Sequence, residues 1–171
     1  MASLSLDVAT REDVTDVCTL VNDAYRGEGG WTRETDLVSG PRITEKAVLG
    51  LIQRPDSYLL VGTMGGETVA CVHLSRSGAT AHIGLLSVQP GLQAQGLGSQ
   101  VLDEAEQFAA DVLGARTVSM KVIDQRPELI AFYERRGYKR IDRSDPYPVN
   151  DNAGEPKVSG LELLRLEKTL D

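Results

Sequence analysis

The chain has 171 residues, a length typical of one domain with a substantial hydrophobic core. Its formal net charge is -7 and it shows no basic stripe, which excludes an ordinary duplex nucleic-acid binder. It opens without a basic segment followed by an apolar run, and no stretch approaches about 18 apolar residues. We therefore expect a cytoplasmic protein that does not interact with membranes.

Hydrophobic periodicity predicts strands and helices along the whole chain. In chain order these are a strand over 4–9, a helix that begins after Thr10 and runs toward Tyr25, a helix over 45–53 capped by Thr44, strands over 58–64, 68–74 and 81–88, a helix over 95–113, a strand over 117–123, a helix over 127–136, a strand that starts at Tyr138, and a strand over 161–169. Segments 26–42 and 142–160 are predicted to be mainly loop. The order indicates a single α+β domain over residues 1–171, with one strand–helix–strand unit in the middle.

The helix over 95–113 has the clearest apolar face in the sequence. We expect it to bury Leu97, Val101, Leu102, Ala105, Phe108, Ala109 and Val112, with Gly114 ending the helix. Cys18 and Cys71 both lie among apolar residues, which favours two buried free thiols over a disulfide or a metal pair.

The stretch "VQPGLQAQGLGSQVL" (88–102) brings glycines to the junction between a strand and this helix, where a backbone commonly approaches a phosphate. A Walker A loop is excluded because Gly98 is followed by Ser99 and Gln100 rather than by Lys-Ser or Lys-Thr. A dinucleotide fingerprint is disfavoured because Val101 occupies the position of the third glycine. Glycines that merely allow close packing of helix on sheet remain an alternative.

Two blocks resemble the GCN5-related N-acetyltransferase (GNAT) superfamily. The first, "LLSVQPGLQAQGLGSQVL" (85–102), contains the pattern Q/R-x-x-G-x-G/A and departs from many members at Ala94. The second, "AFYERRGYKR" (131–140), resembles the family's "A-x-x-F/L-Y-x-x-x-G-F/Y". The resemblance implies the GNAT fold, a mixed, mostly antiparallel twisted sheet of about seven strands flanked by about four helices.

Acetyl-coenzyme A is the co-substrate that this resemblance implies, with no metal. In the family, backbone amides around the glycine turn bind the pyrophosphate, aided by the positive end of the helix dipole. The matching positions here are Gln93, Gln95, Gly96, Gly98 and Ser99. The pantetheine arm would lie between strands 81–88 and 117–123, where the two splay apart, and would pair with the backbone of Leu86 and Val88.

The resemblance also implies catalytic roles. The Leu86 N–H would face the thioester carbonyl and stabilise an oxyanion, and Tyr133 would protonate the departing thiolate. The alternative for Tyr133 is an aromatic that packs its helix onto the sheet. Arg126 replaces an asparagine that many members carry before this tyrosine, and it would either contact coenzyme A phosphates or be solvated.

The general base has several candidates in the sequence. Some protein-acetylating members use a glutamate at the position of His82, and an imidazole can accept a proton at neutral pH. A partly exposed strand residue without a catalytic role is the alternative for His82, while His73, Glu34 and Asp36 remain competitors for the role of base.

Substrate choice in the family depends on the segments that correspond to 25–45 and 142–160. Their aromatic and acidic side chains suggest a lining for a cationic or amphipathic amine: Tyr25, Trp31, Glu34 and Asp36. The alternative for Trp31 is an anchor that ties the loop to the core.

The sequence thus predicts an N-acetyltransferase that moves an acetyl group directly to a primary amine of a small molecule or peptide, in a ternary complex. The alternatives are a non-catalytic acyl-coenzyme A-binding protein and a transferase with a longer acyl donor. Members of this family often pair through their sheets, so a homodimer is a further expectation.

Overall fold

A computed structural model describes residues 4–26, 38–39, 42–92, 96–124, 126–146, 155–156 and 162–170. The helices are α1 (Val14–Arg26), α2 (Glu45–Gln53), α3 (Leu97–Asp111) and α4 (Pro127–Glu134). The strands are β1 (Ser5–Val8), β2 (Val38–Ser39), β3 (Ser57–Met64), β4 (Glu67–Ser77), β5 (Thr80–Val88), β6 (Thr117–Ile123), β7 (Lys139–Pro146), β8 (Glu155–Pro156) and β9 (Glu162–Thr169). None of these helices is long and apolar enough to cross a membrane.

Seven strands form one open sheet in the order β1-β3-β4-β5-β6-β9-β7. Every neighbouring pair is antiparallel except β5 and β6, which are parallel and connected through α3. The two-residue strands β2 and β8 pair separately and join the segments that sequence reasoning assigned to substrate choice. The predicted fold class, a mixed and mostly antiparallel sheet with four helices, is confirmed.

The sheet lies between two helical layers because its central strands bury both faces. One core contains α3 and α4 through residues such as Val101, Leu102 and Ile130. The other contains α1 and α2 through Val17 and Val48. The site described below therefore has a helical layer on each side.

Two details of the sequence prediction were wrong. Strand β7 continues to Pro146, where a loop was expected from Asp142 onward. It is the last strand of its sheet, and edge strands tolerate the polar residues that made this segment look like a loop. Val112 is 60% exposed, because α3 ends at Asp111 and Leu113, beyond the helix, enters the core instead.

Strand β5 carries an irregularity that creates space beside it. Its pairing with β6 covers only the first three residues, Thr80 to His82. On the other side, its register with β4 jumps between Gly84 and Ser87, and Leu85 adopts a positive φ of 55°. A left-handed leucine costs about 1–2 kcal/mol, which burial of the side chain against the α1–α2 layer offsets. The predicted divergence of β5 from β6 agrees with this register.

Candidate active site

Two cavities meet beside the irregular part of β5. The glycine-turn cavity, about 330 Å³, lies under the start of α3, between β5 and α4. The gap cavity, about 1250 Å³, lies along the space between β5 and β6 and is covered by one face of α2. Five residues line both cavities: Tyr25, Leu86, Arg126, Leu129 and Tyr133. They mark the boundary where a group could pass from one cavity to the other.

The glycine-turn cavity begins at the N-terminus of α3. Gly96 is the N-cap and has a φ of 82°, a backbone conformation that side chains disfavour. A Cβ atom at Gly96 would meet nothing within 4 Å, and one at Gly98 would make only an ordinary contact with Phe132 Cζ at 3.7 Å. Among the described residues, close packing of helix on sheet therefore requires glycine at neither position, and the positive φ is the reason that favours glycine at Gly96.

Arg136 is a residue of this cavity that sequence reasoning missed. Its guanidinium donates hydrogen bonds to the Phe132 carbonyl, at 3.1 Å, and to the Ser99 hydroxyl, and its Cζ lies 3.9 Å from the centre of the Phe132 ring. These contacts hold a fixed positive charge beside the first turn of α3. The sequence does contain a signal for Arg136, because it lies four residues after Phe132 within the block 131–140 that resembles the family.

Tyr133 lies at the boundary between the cavities. It is buried, and its ring packs edge-on against Phe132 and Tyr138 at centroid distances of 5.3 and 5.9 Å. Burial is the main reason that its pKa lies well above the usual value, and nearby Tyr25 raises it further. The phenol therefore keeps its proton at neutral pH. The residue packs the helix onto the sheet and also faces both cavities, so the two interpretations of the sequence are compatible.

Tyr25 and Arg126 also line both cavities at this boundary. The Arg126 and Arg42 guanidinium carbons lie 5.6 and 5.3 Å from the centre of the Tyr25 ring. Asn22 holds the Arg42 backbone in place by accepting its N–H at 2.6 Å. Arg126 is only 6% exposed, which excludes the alternative of a solvated side chain and leaves contact with coenzyme A phosphates as a prediction. A guanidinium can be buried here because the aromatic face is an attractive neighbour for it.

His82 lines the gap cavity at the point where β5 and β6 separate. Its Nδ1 shares a hydrogen bond of 2.6 Å with the Ser119 hydroxyl on β6. Partial burial is the main reason that its pKa lies below the usual value, and the charges of Arg165 and Lys121 lower it further. The ring is therefore neutral at neutral pH and able to accept a proton.

His73 also lines the gap cavity, but its environment is more closed. Its Nε2 shares a hydrogen bond of 2.6 Å with the Ser57 hydroxyl, which itself donates to the Leu51 carbonyl at 2.8 Å. Burial, together with the charge of Arg54, lowers its pKa to about 4. His73 is thus a weaker base than His82 and is already engaged in a structural hydrogen-bond chain.

Leu86 and Val88 both line the glycine-turn cavity, at the end of β5. Leu86 has no Cα partner in the described registers of β4 or β6, because the irregularity on one side and the divergence on the other both include it. Its backbone groups are therefore placed beside the space where the two cavities join. The role proposed for its N–H depends on this position.

Both cysteines are free, as expected, but only Cys71 is fully buried. The Cys71 thiol contacts the Leu85 carbonyl at 3.5 Å, and burial raises its pKa to about 12. Neither cysteine is among the described residues that line the two cavities.

Several predicted site residues lie outside the described residues, and their predicted roles stay predictions. They are Gln93 and Gln95 beside the glycine turn, and Trp31, Glu34 and Asp36 in the segment before α2. The remaining predicted residues are brought together around the two cavities.

The model of the acetyltransferase (GNAT) family matches residues 15–138 of this chain, which include the glycine turn, His82 and Tyr133. The chain belongs to the GNAT acetyltransferase family. Its GNAT fold is shared with the ribosomal-protein-S18-alanine N-acetyltransferase of Escherichia coli, at 16% identity and a TM-score of 0.72, over 99% of this chain and 95% of that one. An N-acetyltransferase of Staphylococcus aureus is 17% identical with a TM-score of 0.72 over 99% of both chains.

A third similar GNAT structure is a point mutant of the spermidine N-acetyltransferase of Vibrio cholerae. It is 14% identical with a TM-score of 0.70, over 97% of this chain and 93% of that one. At these identities the three structures show a common GNAT fold. The acceptors that appear in the names of two of these enzymes are the substrates of those enzymes.

Proposed function

We propose that this GNAT protein transfers an acetyl group from acetyl-coenzyme A to a primary amine, directly and in a ternary complex. The observation that carries the proposal is the meeting of two cavities at Leu86 and Tyr133. One cavity begins at a glycine turn suited to a diphosphate, and the other contains a neutral histidine. Such an arrangement fits a donor in the first cavity and an acceptor in the second.

The residues of the glycine-turn cavity fit coenzyme A. The α3 N-terminus offers unpaired backbone N–H groups and the positive end of a helix dipole, and Gly96 leaves them accessible. Arg136 adds a positive charge that its contacts with Ser99 and Phe132 hold in place. These groups would bind the pyrophosphate oxygens, and the bound co-substrate would supply an activated acetyl group as a thioester.

Leu86 would hold the acetyl carbonyl. With no register partner on β4 or β6, its backbone N–H can donate to the carbonyl oxygen, where negative charge develops when an amine attacks. A preorganised donor at such a position is worth roughly 3–4 kcal/mol of transition-state stabilisation. The left-handed Leu85 immediately before it fixes the direction of the backbone at this point.

His82 would accept the proton that the amine must lose. An alkylamine with a pKa of about 10.4 is almost fully protonated at neutral pH and must be deprotonated before it attacks. Because the pKa of His82 is lowered, its ring is neutral and one of its nitrogens can accept the proton. Ser119 would keep the ring oriented through Nδ1.

Tyr133 would donate a proton to the departing thiolate. Its burial keeps the phenol protonated, so its O–H can donate to the sulfur as negative charge develops there and the C–S bond breaks. The support for this role is that Tyr133 lines both cavities, at the boundary where the thioester would lie under the proposal. A general acid at this step typically accelerates a reaction about 10²- to 10⁴-fold.

The proposal is tested by measuring thiol release from acetyl-coenzyme A in the presence of amino acids, polyamines, aminoglycosides and peptides, with mass spectrometry of the products. We expect at least one primary amine to gain an acetyl group at a rate that depends on the protein. Binding of coenzyme A without turnover of any amine would instead support a non-catalytic role. Calorimetry with acetyl-, succinyl- and free coenzyme A distinguishes a donor with a longer acyl chain.

A further inference from the structure

A row of polar side chains crosses the middle of the sheet on the face that carries the gap cavity. Ser75 on β4, His82 on β5, Ser119 on β6 and Glu167 on β9 are Cα partners in the successive registers. Directly paired residues point to the same face of a sheet, so the four side chains form one line. The first three of them line the gap cavity. The row therefore connects the proposed base to a carboxylate two strands away.

Ser119 is the buried member of this row. It is 2% exposed, and its hydroxyl shares the hydrogen bond of 2.6 Å with Nδ1 of His82. Buried polar groups are normally hydrogen-bonded, and a hydroxyl can donate its proton to one group while it accepts a proton from another. Ser119 can therefore transmit the influence of a third group to the imidazole.

The direction of this hydrogen bond decides whether His82 can act as a base. If the Ser119 hydroxyl donates to Nδ1, the neutral ring carries its proton on Nε2 and has no nitrogen left to accept a proton. If Nδ1–H donates to the hydroxyl oxygen, Nε2 is the acceptor and the hydroxyl proton can go to a further group. Only the second arrangement is compatible with proton transfer from an amine.

Glu167 favours the second arrangement. It lies directly opposite Ser119, and the Cβ atoms of such pairs are about 4.5–5.5 Å apart, close enough for a carboxylate to accept the hydroxyl proton directly or through one water molecule. Glu167 is also close enough to His82 to raise the pKa of the imidazole. Because an ionised carboxylate only accepts hydrogen bonds, a hydroxyl that donates to it must accept the proton of Nδ1.

The other charged or titratable groups near His82 are not placed to take this role. Among the described residues they are Lys121 on β6, Arg165 on β9, His73 on β4, and Lys46 and Arg54 on α2. The first two lie one pair further along the register than Ser119 and lower the pKa of His82. Cations cannot accept a hydroxyl proton, and His73 is bonded to Ser57 instead.

We propose that Ser119 and Glu167 are positioning residues for His82, in which the Ser119 hydroxyl donates to the Glu167 carboxylate and accepts Nδ1–H, leaving Nε2 to accept the proton of the acceptor amine. The inference rests on the proposed function and adds two residues to it. When the N–H bond of the amine breaks, its electron pair stays on the attacking nitrogen and the proton forms a bond to Nε2. Nδ1 keeps its proton and Glu167 stays ionised, so the carboxylate stabilises the new imidazolium through the hydroxyl.

The first experiment determines the tautomer of His82 by NMR and requires no catalysis. The chain contains only two histidines, so protein labelled with ¹⁵N-histidine gives two sets of ring signals, which His73→Gln assigns. Long-range ¹H–¹⁵N spectra distinguish a protonated nitrogen from an unprotonated one. At about pH 8, where an imidazole is neutral, we expect the proton of His82 on Nδ1. A proton on Nε2 would overturn the inference.

The second experiment removes the negative charge with Glu167→Gln. The titration of His82 in NMR, and with it the acid limb of kcat, should move to lower pH, because the carboxylate favours the charged ring. At the plateau kcat should fall about ten-fold, since a hydrogen bond to a charged group contributes about one decade or more, while the KM of the amine stays nearly constant. Glu67→Gln, which changes an exposed carboxylate on β4, is the matched control and should move neither the titration nor the acid limb. An unmoved titration in Glu167→Gln contradicts the proposal.

The third experiment removes the hydroxyl that connects the two groups. Ser119→Ala should abolish the preference for Nδ1–H, and adding Glu167→Gln to it should lower kcat little further, because residues that act in one chain are not additive. Ser119→Thr keeps the hydroxyl, suits a strand and should restore the tautomer. Ser75→Ala removes the serine on the other side of His82 and should leave the tautomer unchanged. Independent, additive effects of Ser119→Ala and Glu167→Gln would show that Glu167 does not act through Ser119.

The tautomer separates this inference from the proposed function. Acetylation of an amine by a protein whose His82 carries its proton on Nε2 would overturn the inference and leave the proposed function standing. A proton on Nδ1 that depends on Ser119, in a protein that acetylates no amine, would support the hydrogen-bonded row and overturn the proposed function. If Ser119→Ala does not fold, as circular dichroism would show, the spectra of the parent protein and of Glu167→Gln still decide.

Discussion

The glycine-turn cavity and the gap cavity are assembled in different ways. The first is lined mostly by two short blocks of sequence, 85–102 and 131–140, each of which carries its own local pattern. The second gathers single residues from α2, β4, β5, β6 and β9, with Lys121 and Arg165 far apart in the chain. Because its residues come from local blocks, the proposed donor side can be predicted from one sequence. The proposed acceptor side cannot, because the sheet register decides which of its residues come together.

This difference has a chemical counterpart. The proposed diphosphate would be bound by backbone N–H groups at a helix N-terminus, and glycine is the residue that most readily adopts the φ of 82° found at Gly96. Binding an acceptor requires side chains, which many different strands can provide. Substitutions at the boundary, in the gap cavity and at the glycine turn should therefore have separable effects.

The largest effect is expected at the boundary, from Tyr133→Phe. Loss of the phenol proton should lower kcat about 1000-fold, within the range of general acid catalysis, and leave donor affinity nearly unchanged. The matched control is Tyr138→Phe, a buried tyrosine outside both cavities whose hydroxyl donates to Glu106 at 2.9 Å. It should lower stability by about 1–3 kcal/mol without changing kcat at temperatures where the protein is folded. Equal kcat values for the two variants would remove Tyr133 from the mechanism.

The next largest effect is expected in the gap cavity, from His82→Gln. We expect kcat to fall about 100-fold. The pKa of His82 lies below about 6.5, so the ring is neutral above that value and activity should decline as the pH falls through the lowered pKa. This decline should be present in the pH profile of kcat for the parent protein and absent for His82→Gln.

His73→Gln decides between the two histidines. His73, with a pKa of about 4, contributes its neutral form over the whole working range. Its replacement should lower stability, through the lost hydrogen bond to Ser57, and leave the position of the acid limb unchanged. An acid limb that disappears in His73→Gln and persists in His82→Gln would reverse the assignment.

A smaller effect is expected at the glycine turn, from Gly96→Ala. A side chain at a φ of 82° costs about 1–2 kcal/mol, which favours a relaxed turn that no longer presents its backbone N–H groups to the ligand. Acetyl-coenzyme A should therefore bind up to about ten-fold more weakly in calorimetry, with the acceptor KM unchanged. Gly66→Ala is a close control because Gly66 also has a φ of 82° and open space around it, in the hairpin between β3 and β4. The Gly66→Ala variant should lose a similar amount of folding stability and keep its affinity for acetyl-coenzyme A.

The sequence predicts most of the fold because its elements carry local signals. Thr44 caps α2 as expected, with its hydroxyl accepting the Ala47 N–H at 3.2 Å, and Pro127 begins α4. The end of β7 could not be predicted, because an edge strand needs no apolar alternation. Val112 was misplaced because α3 ends at Asp111, two residues before the predicted end at 113, so Val112 lies beyond the helix and faces outward.

The site was predicted less completely than the fold. Gly96, Leu86 and Tyr133 were identified through the two blocks that resemble the family, and His82 through its position on the same strand as Leu86. All four line the two cavities. Lys121 and Arg165 lie directly opposite each other because β6 pairs with β9. The sequence of either strand alone does not indicate this pairing. Charge distribution around a cavity is thus the part of the site that only three-dimensional structure provides.

The central claim is direct transfer between two cavities that are filled at the same time. It is tested most directly by initial rates measured over a grid of acetyl-coenzyme A and amine concentrations, using the best acceptor from the thiol-release assay. The proposal predicts double-reciprocal lines that intersect, because donor and acceptor must both be bound before the acetyl group moves. Parallel lines, together with an acetylated protein that mass spectrometry detects after donor alone, would contradict it.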